Sequence, residues 1–229
     1  MDKLTNLTET VLLRMASVKV SVLMAVFNTP FDLVKRAVDS VLNQDFNDFE
    51  LIVIDDGSKL DISQAITYYC IENQDRISYI RCKNEGQSFA INRAVHFAKG
   101  EYITIIDADD EYKSNHLSSC LHEMTNADLI SSFTETVVSS SEDYYVADKY
   151  DLHKNIHVDD CILFATLFGK KEVFKSIRFE NRYSADSYFY EQASKSFTVK
   201  RSKIRTYIYY RNIASSITAL QKQNRAIHY

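Results

Sequence analysis

From Val18 to Asp110 the chain alternates apolar strands with amphipathic helices, and this order leaves few folds open to it. VKVSVLMAV (Val18 to Val26) begins alternating and becomes uniformly apolar, as a central parallel strand does. Asn28-Thr29-Pro30 marks a turn, with Thr29 as an N-cap and the chain's only proline at the first helical position. Leu33, Val34, Ala37, Val38, Val41 and Leu42 then recur at helical spacing and predict a helix to about Asn43. FELIVI (Phe49 to Ile54) is a second strand, followed by a helix over about Asp61 to Glu72. Ile77 to Arg81 is a third strand, and Asn84-Glu85-Gly86 turns into a helix that runs through Ala98. Gly100 resets the chain into YITII, Tyr102 to Ile106. Such a sequence specifies an α/β fold whose sheet is mostly parallel and flanked by helices on both faces. Ligands of these sheets bind beyond the carboxyl ends of the strands. Asn28, Asp55, Asp56 and the cluster Asp107-Ala108-Asp109-Asp110 all fall there.

The second half is less regular. Leu117 to Met124 reads as a helix, Asp128 to Phe133 as a strand, and Ser139 to Asp143 as a polar, mobile loop. Lys170 to Ser176 and Asp186 to Ala193 are helix candidates. Val199 to Tyr210, rich in β-branched residues and tyrosine, predicts one or two closing strands, and the last ten residues are expected to fray.

The acid clusters carry the chemistry. An Asp-x-Asp on a turn after a strand is by itself common, and a solvated turn explains it. Three acids within four residues nevertheless repel one another unless a cation sits among them. Hard oxygen donors suit Mg²⁺ or Mn²⁺, which commonly take one or two carboxylates plus substrate phosphates. The cluster therefore stands as either a solvated turn or a metal–diphosphate site. Asp55-Asp56-Gly57-Ser58 is either a tight turn or an acidic corner that accepts hydrogen bonds from a base or ribose. Neither G-x-G-x-x-G nor G-x-x-x-x-G-K-[ST] occurs, so both glycine-rich phosphate cradles are missing and a bridging metal becomes the economical alternative.

A formal net charge of -4 argues against a general nucleic-acid binder. Cys70, Cys82, Cys120 and Cys161 form no Cys-x-x-Cys pair and read as reduced, mostly buried thiols of a cytosolic protein. The first residues lack a continuous apolar core, and the longest apolar stretch, Val22 to Phe27, is far short of a membrane span. The expected location is the cytoplasm, with peripheral contact at the inner face of the membrane left open. His96, His116, His122 and His153 form no spaced ligand set. A signalling receiver domain also gathers aspartates at strand ends, but its acid pair follows the first strand, whereas here it follows the second.

Taken together, VSVLMAVFN, SVLNQDF, FELIVIDDGS and NEGQSFAINRAVHFAKGEYITIIDADD resemble the N-terminal half of the family 2 glycosyltransferases, nearly continuously from Val18 to Asp110. A weaker resemblance covers FGKKEVFKSIRFENRYSADSYFYEQA and YIYYRNIASSIT, which look like the family's acceptor-side segment and its closing Tyr-Arg strand. The resemblance implies a GT-A (Rossmann-like) fold with a smaller mixed acceptor-side region. It also implies an N-terminal extension (1–17), a nucleotide-sugar-binding half (18–111), an acceptor-side half of the same domain (112–218) and a tail (219–229). Ala25, Val26, Phe27 and Asn28 would line the nucleotide pocket, Asp55 or Asp56 would meet uracil or ribose, and Asn84, Gly86 and Asn92 would border the donor. Asp107 and Asp109, flanking Ala108 on the donor side, match the metal-binding Asp-x-Asp, with Asp109 the more direct ligand of Mn²⁺ or Mg²⁺. Asp186 falls at the general base, and Arg211 matches a basic residue near the diphosphate.

The implied activity is inverting, metal-assisted transfer of one sugar from a nucleotide-sugar, UDP-linked by resemblance. Its acceptor is a hydroxyl on a growing cell-surface glycan or lipid-linked saccharide. Several residues depart from the family. Ala185 stands where a Glu usually precedes the base, Ile91 and Ala94 replace a common Arg and Gly, Asp45 a Thr, and Tyr112 a Trp. The Gln-x-x-Arg-Trp run of processive members is missing; Gln221 and Arg225 are mis-spaced for it. A catalytically inactive nucleotide-sugar-binding module is the second expectation.

Overall fold

The computed structural model describes residues 18–151 and 153–212. Strands β1 (Val20–Val26), β2 (Phe49–Asp55), β3 (Ile77–Arg81) and β4 (Tyr102–Asp107) are parallel and alternate with helices α1 (Phe31–Leu42), α2 (Leu60–Glu72) and α3 (Gln87–Phe97). The predicted alternation is thus realised, with ends moved by a residue or two. One local reading changes. Pro30 is the capping residue and the helix begins at Phe31, because ψ of 138° keeps Pro30 extended. In space these strands lie β3-β2-β1-β4. The chain steps outward from β1 to β3 and then returns to the other flank of β1, which makes the gap between β1 and β4 a topological switch point.

The second half adds β5 (Glu111–Tyr112), α4 (His116–Glu123), β6 (Leu129–Ser131) and β7 (Thr134–Val137), then the hairpin β8 (Tyr145–Ala147) and β9 (Asn155–His157). It closes with β10 (Leu167–Lys170), α5 (Lys171–Ser176), α6 (Ala185–Ala193), β11 (Val199–Arg201) and β12 (Tyr207–Tyr210). β10 inserts antiparallel between β4 and β6, and β11 completes a seven-stranded sheet. β12 joins a separate sheet, antiparallel to β5 and parallel to β7. β5 runs across the junction expected at 111/112, so the two halves share a strand. Ser139 to Asp143, read as a mobile loop, instead enters a 3-10 turn over Ser141–Tyr144, where Asp143 accepts from the N–H and hydroxyl of Ser140. The predicted extension (1–17) and tail (219–229) lie outside the described residues.

Period-two alternation divides the core between the sheet's faces. Val22, Met24, Val26, Val53 and Ile106 pack with Val34, Val38 and Val41 of α1, Ile66 of α2 and Leu117 of α4. Leu23, Ile52, Ile54, Ile103 and Ile105 pack with Ala90, Ile91 and Ala94 of α3 and Phe189 of α6. Ile91 and Ala94, both departures from the family pattern, are therefore core residues. Each fully buried Val or Ile contributes on the order of 1.5–3 kcal/mol, which fixes the strand ends as a rigid edge.

Candidate active site

At that edge Ala25 lies in register with Asp107, and Val26 with Asp55, so the last residues of β1, β2 and β4 form one row. Beyond it Phe27 stands 52% exposed. Asn28 turns the chain with φ of 52°, a left-handed conformation that asparagine tolerates. Its N–H donates to Ser58 Oγ at 3.0 Å, and its Oδ1 accepts from the Lys59 N–H at 2.8 Å. The turns after β1 and β2 are therefore laced together.

Asp55 is fully buried, and its carboxylate accepts from the Ser58 N–H at 2.7 Å and the Tyr79 hydroxyl at 2.6 Å. Burial would raise its pKa, but hydrogen bonds from Tyr79, Ser58 and Ser63 outweigh burial and leave it below the ordinary range. Asp56 accepts from the N–H groups of Glu85 at 2.9 Å and Gly86 at 2.7 Å, and from the Asn84 amide at 3.1 Å. Protein donors thus orient both carboxylates at the row, leaving acceptor sites on each for a base or ribose. Asn84 and Gly86 join the row through Asp56. The Asn92 amide brackets Phe179, donating to its carbonyl at 2.7 Å and accepting its N–H at 3.0 Å, and so ties α3 to the segment before α6.

The acid cluster divides by role. Asp107 ends β4, half-buried, and accepts from Gln87 Nε2 at 2.8 Å. Burial, then the charges of Asp109 and Asp186, push its carboxyl up to about 7. Ala108 is buried, and the backbone carbonyl of Asp109 accepts from Arg36. Burial also raises the Asp109 carboxyl, opposed by a backbone hydrogen bond and Arg36. Asp110 is 1% exposed, and both its oxygens are taken by β12, from the Tyr207 hydroxyl at 2.5 Å and the Tyr210 N–H at 2.8 Å.

Asp186 sits in the first turn of α6, two residues after Ser184, which caps the helix in a left-handed conformation with φ of 54°. Its Oδ1 accepts from the Ser187 N–H at 2.7 Å. Burial drives its carboxyl up to about 6, against backbone N–H groups of Ser187 and Phe164 and the charge of Lys149. Lys149 itself is held by Ser187 at 2.7 Å and by Glu191. Asp186 and Asp107, distant in sequence, lie close enough that one charge shifts the other's titration. Arg211 is 8% exposed; it donates to the Tyr209 hydroxyl at 3.2 Å and the Tyr145 carbonyl at 3.4 Å, and lies 5.6 Å from the centre of the Tyr209 ring. Among the described residues its Nε has no hydrogen-bond partner, a costly state for a buried cation that an anion would relieve.

A divalent cation suits this donor set. Asp107 and Asp109 are oxygen ligands that raise their own protonation tendency as they stand, and a cation reverses that. Among the described residues no three His, Cys, Asp or Glu side chains converge on one point. The protein would therefore give one or two carboxylates and leave the remaining positions to phosphate and water. Sequence reasoning missed Gln87, Arg36, Lys149 and Tyr207. Gln87, two residues beyond Glu85 at a helix start, carried the only local signal.

The profile described as Glycosyl transferase family 2 matches residues 21–189. The GalNAc(5)-diNAcBac-PP-undecaprenol beta-1,3-glucosyltransferase of Campylobacter jejuni is 36% identical over 107 residues, 46% of this chain and 34% of its own. The chain spans only 16% to 35% of several such curated relatives. Among solved structures, S. aureus TarS with UDP-GlcNAc superposes with a TM-score of 0.66 at 18% identity, over 87% of this chain and 61% of that one. The mannosyltransferase PcManGT of Pyrobaculum calidifontis with GDP-Man and Mn²⁺ gives 0.68 at 15%, over 93% and 62%. These likenesses show the GT-A fold.

Proposed function

The chain belongs to glycosyl transferase family 2, and on that premise we propose that it moves one sugar from a nucleotide-sugar, UDP-linked, to an acceptor hydroxyl with inversion. The observation that carries this reading is the row of Asp55 and Asp107 in register with the end of β1 at the switch point, with Asp109 just beyond β4 and the buried cation of Arg211 just beyond β12. Asp109 and Asp107 would hold Mn²⁺ or Mg²⁺, which when bound would supply Lewis-acid stabilisation to a departing diphosphate. Arg211 faces the same diphosphate. Ala25 to Asn28 line the nucleotide, over the turn that Asp55, Asp56, Asn84 and Gly86 stiffen. Asp186 takes the proton of the acceptor hydroxyl; a carboxyl raised to about 6 is ionised at neutral pH yet basic enough for the transfer. The acceptor is a cell-surface glycan or lipid-linked saccharide, in keeping with the undecaprenol-linked substrate in the Campylobacter relative's name. Among the described residues no helix is long and apolar enough to cross a membrane, and we place the reaction in the cytoplasm, at the inner membrane face for a lipid-linked acceptor.

Ala185 is buried beside Asp186 and supplies no second carboxylate, which favours a second reading, binding without transfer. Two substitutions separate the readings. Asp109→Ala should abolish the Mn²⁺-dependent part of nucleotide binding in calorimetry, as chelation does in the parent. Asp186→Asn should bind donor normally and lose turnover by about 10²–10⁴-fold. Equal transfer by Asp186→Asn and parent would remove the base assignment, and no transfer by the parent to any acceptor would favour the binding module.

A further inference from the structure

Tyr207 occupies an unusual position for a core tyrosine. Its ring is fully buried, yet its hydroxyl lies between two parts of the acid cluster, accepting from the Asp107 N–H at 3.3 Å and donating to Asp110 at 2.5 Å. Asp110 also accepts from the Tyr210 N–H at 2.8 Å, so one carboxylate grips β12 at both ends. The other face of the strand is held too. The Arg36 guanidinium lies 3.9 Å from the centre of the Tyr210 ring, donates to the Asp109 carbonyl and pairs with Glu111 at 3.6 Å. Along an extended strand Tyr207, Tyr209 and Arg211 share one side, and Tyr209 carries the 3.2 Å contact to Arg211.

As mere glue Asp110 is a poor choice. It places a buried carboxyl beside two half-buried ones, where an apolar residue would join turn and strand without the cost of burying a polar group. The arrangement makes sense if the cluster is to be registered against Arg211. We propose that Tyr207 and Asp110 are positioning residues that lock the Asp107–Asp109 turn to β12, so that these carboxylates and Arg211 grip a metal-bound diphosphate as one unit. This rests on the donor-binding reading above. Neither residue touches the ligand; both act through Asp107 and Arg211.

The test is calorimetric, in Mn²⁺, with UDP and UMP (or GDP and GMP if the parent prefers guanine). Tyr207→Phe keeps the ring and removes the hydroxyl; Asp110→Asn is the second variant should the first fold poorly, checked by urea midpoint. Diphosphate affinity should fall about tenfold, the effect of losing a hydrogen bond to a charged group, while monophosphate affinity stays within about twofold. In an Arg211→Ala background, Tyr207→Phe should cost little further diphosphate affinity, since the two act as a unit. Equal losses for both nucleotides, or losses that add fully with Arg211→Ala, would show a structural role only and overturn the proposal. A parent that binds no nucleoside diphosphate would overturn the donor reading and the proposal together. A parent that binds while the variants lose affinity additively would overturn the proposal alone.

Discussion

Asp107, Asp109 and Asp110 share a tetrapeptide but have different tasks, and composition cannot distinguish them. That the cluster lies at the ligand edge was legible, because it follows directly on an apolar strand. That Asp110 is occupied by β12 was not, since Tyr207 and Tyr210 reach it through a sheet the sequence does not announce. His116 shows the same limit. It belongs to no spaced ligand set and nothing local marks it as internal, yet it is buried, stacked on Tyr112 at 3.8 Å and bonded to Thr206 at 2.8 Å. Burial holds its pKa down at about 3, the Thr206 contact working the other way. The unfolded chain takes up this proton near pH 6.5, so stability is full above that value and falls as the pH drops towards 3. At pH 4.5 the loss should be roughly 2–3 kcal/mol. Urea midpoints of the parent between pH 7.5 and 4.5 should fall by more than those of His116→Asn; parallel slopes would contradict the assignment.

Among elements, the first four strands and three helices could be read from periodicity alone, because each spans enough residues to show its repeat. β10 could not. Four residues, Leu-Phe-Gly-Lys, run straight into α5, and their pairing with β4 and β6 depends on residues far away. Turns are intermediate cases. Gly57 and Gly86 both have positive φ, 80° and 97°. The space around them differs: a Cβ on Gly57 would sit 2.8 Å from the Asn84 backbone nitrogen, whereas one on Gly86 meets nothing within 4 Å. Gly57→Ala should therefore cost about 1–3 kcal/mol through backbone strain and, by pushing on Asn84, disturb the Asp56 latch. Denaturation should show the loss, with nucleotide affinity weakened in parallel; an unchanged midpoint would mean that the turn relaxes freely.

At the scale of the whole molecule, the resemblance read from four motifs covers the nucleotide-facing half well, because strand ends and acids follow one another locally. The acceptor-facing half is assembled from short pieces, and there only Asp186 and Arg211 stood out in advance. The sheet itself joins the two. β4 hydrogen-bonds to β1 on one side and to β10 on the other, so its second edge is covered only by residues 168–170. A fragment comprising residues 1–111 would carry every motif of the first half and still leave β4 with an open edge, flanked by the apolar side chains of Ile103 and Ile105. Such an edge recruits other chains. The fragment is expected to elute as oligomers or aggregate, whereas the full chain does not pair through β4, and a monomeric, cooperatively folding fragment would refute this. During synthesis the same geometry sets an order of events. The donor-side motifs leave the ribosome first, but their sheet stays exposed to misassociation until β10 has been made, so the chain's period of greatest vulnerability falls between residues 107 and 167.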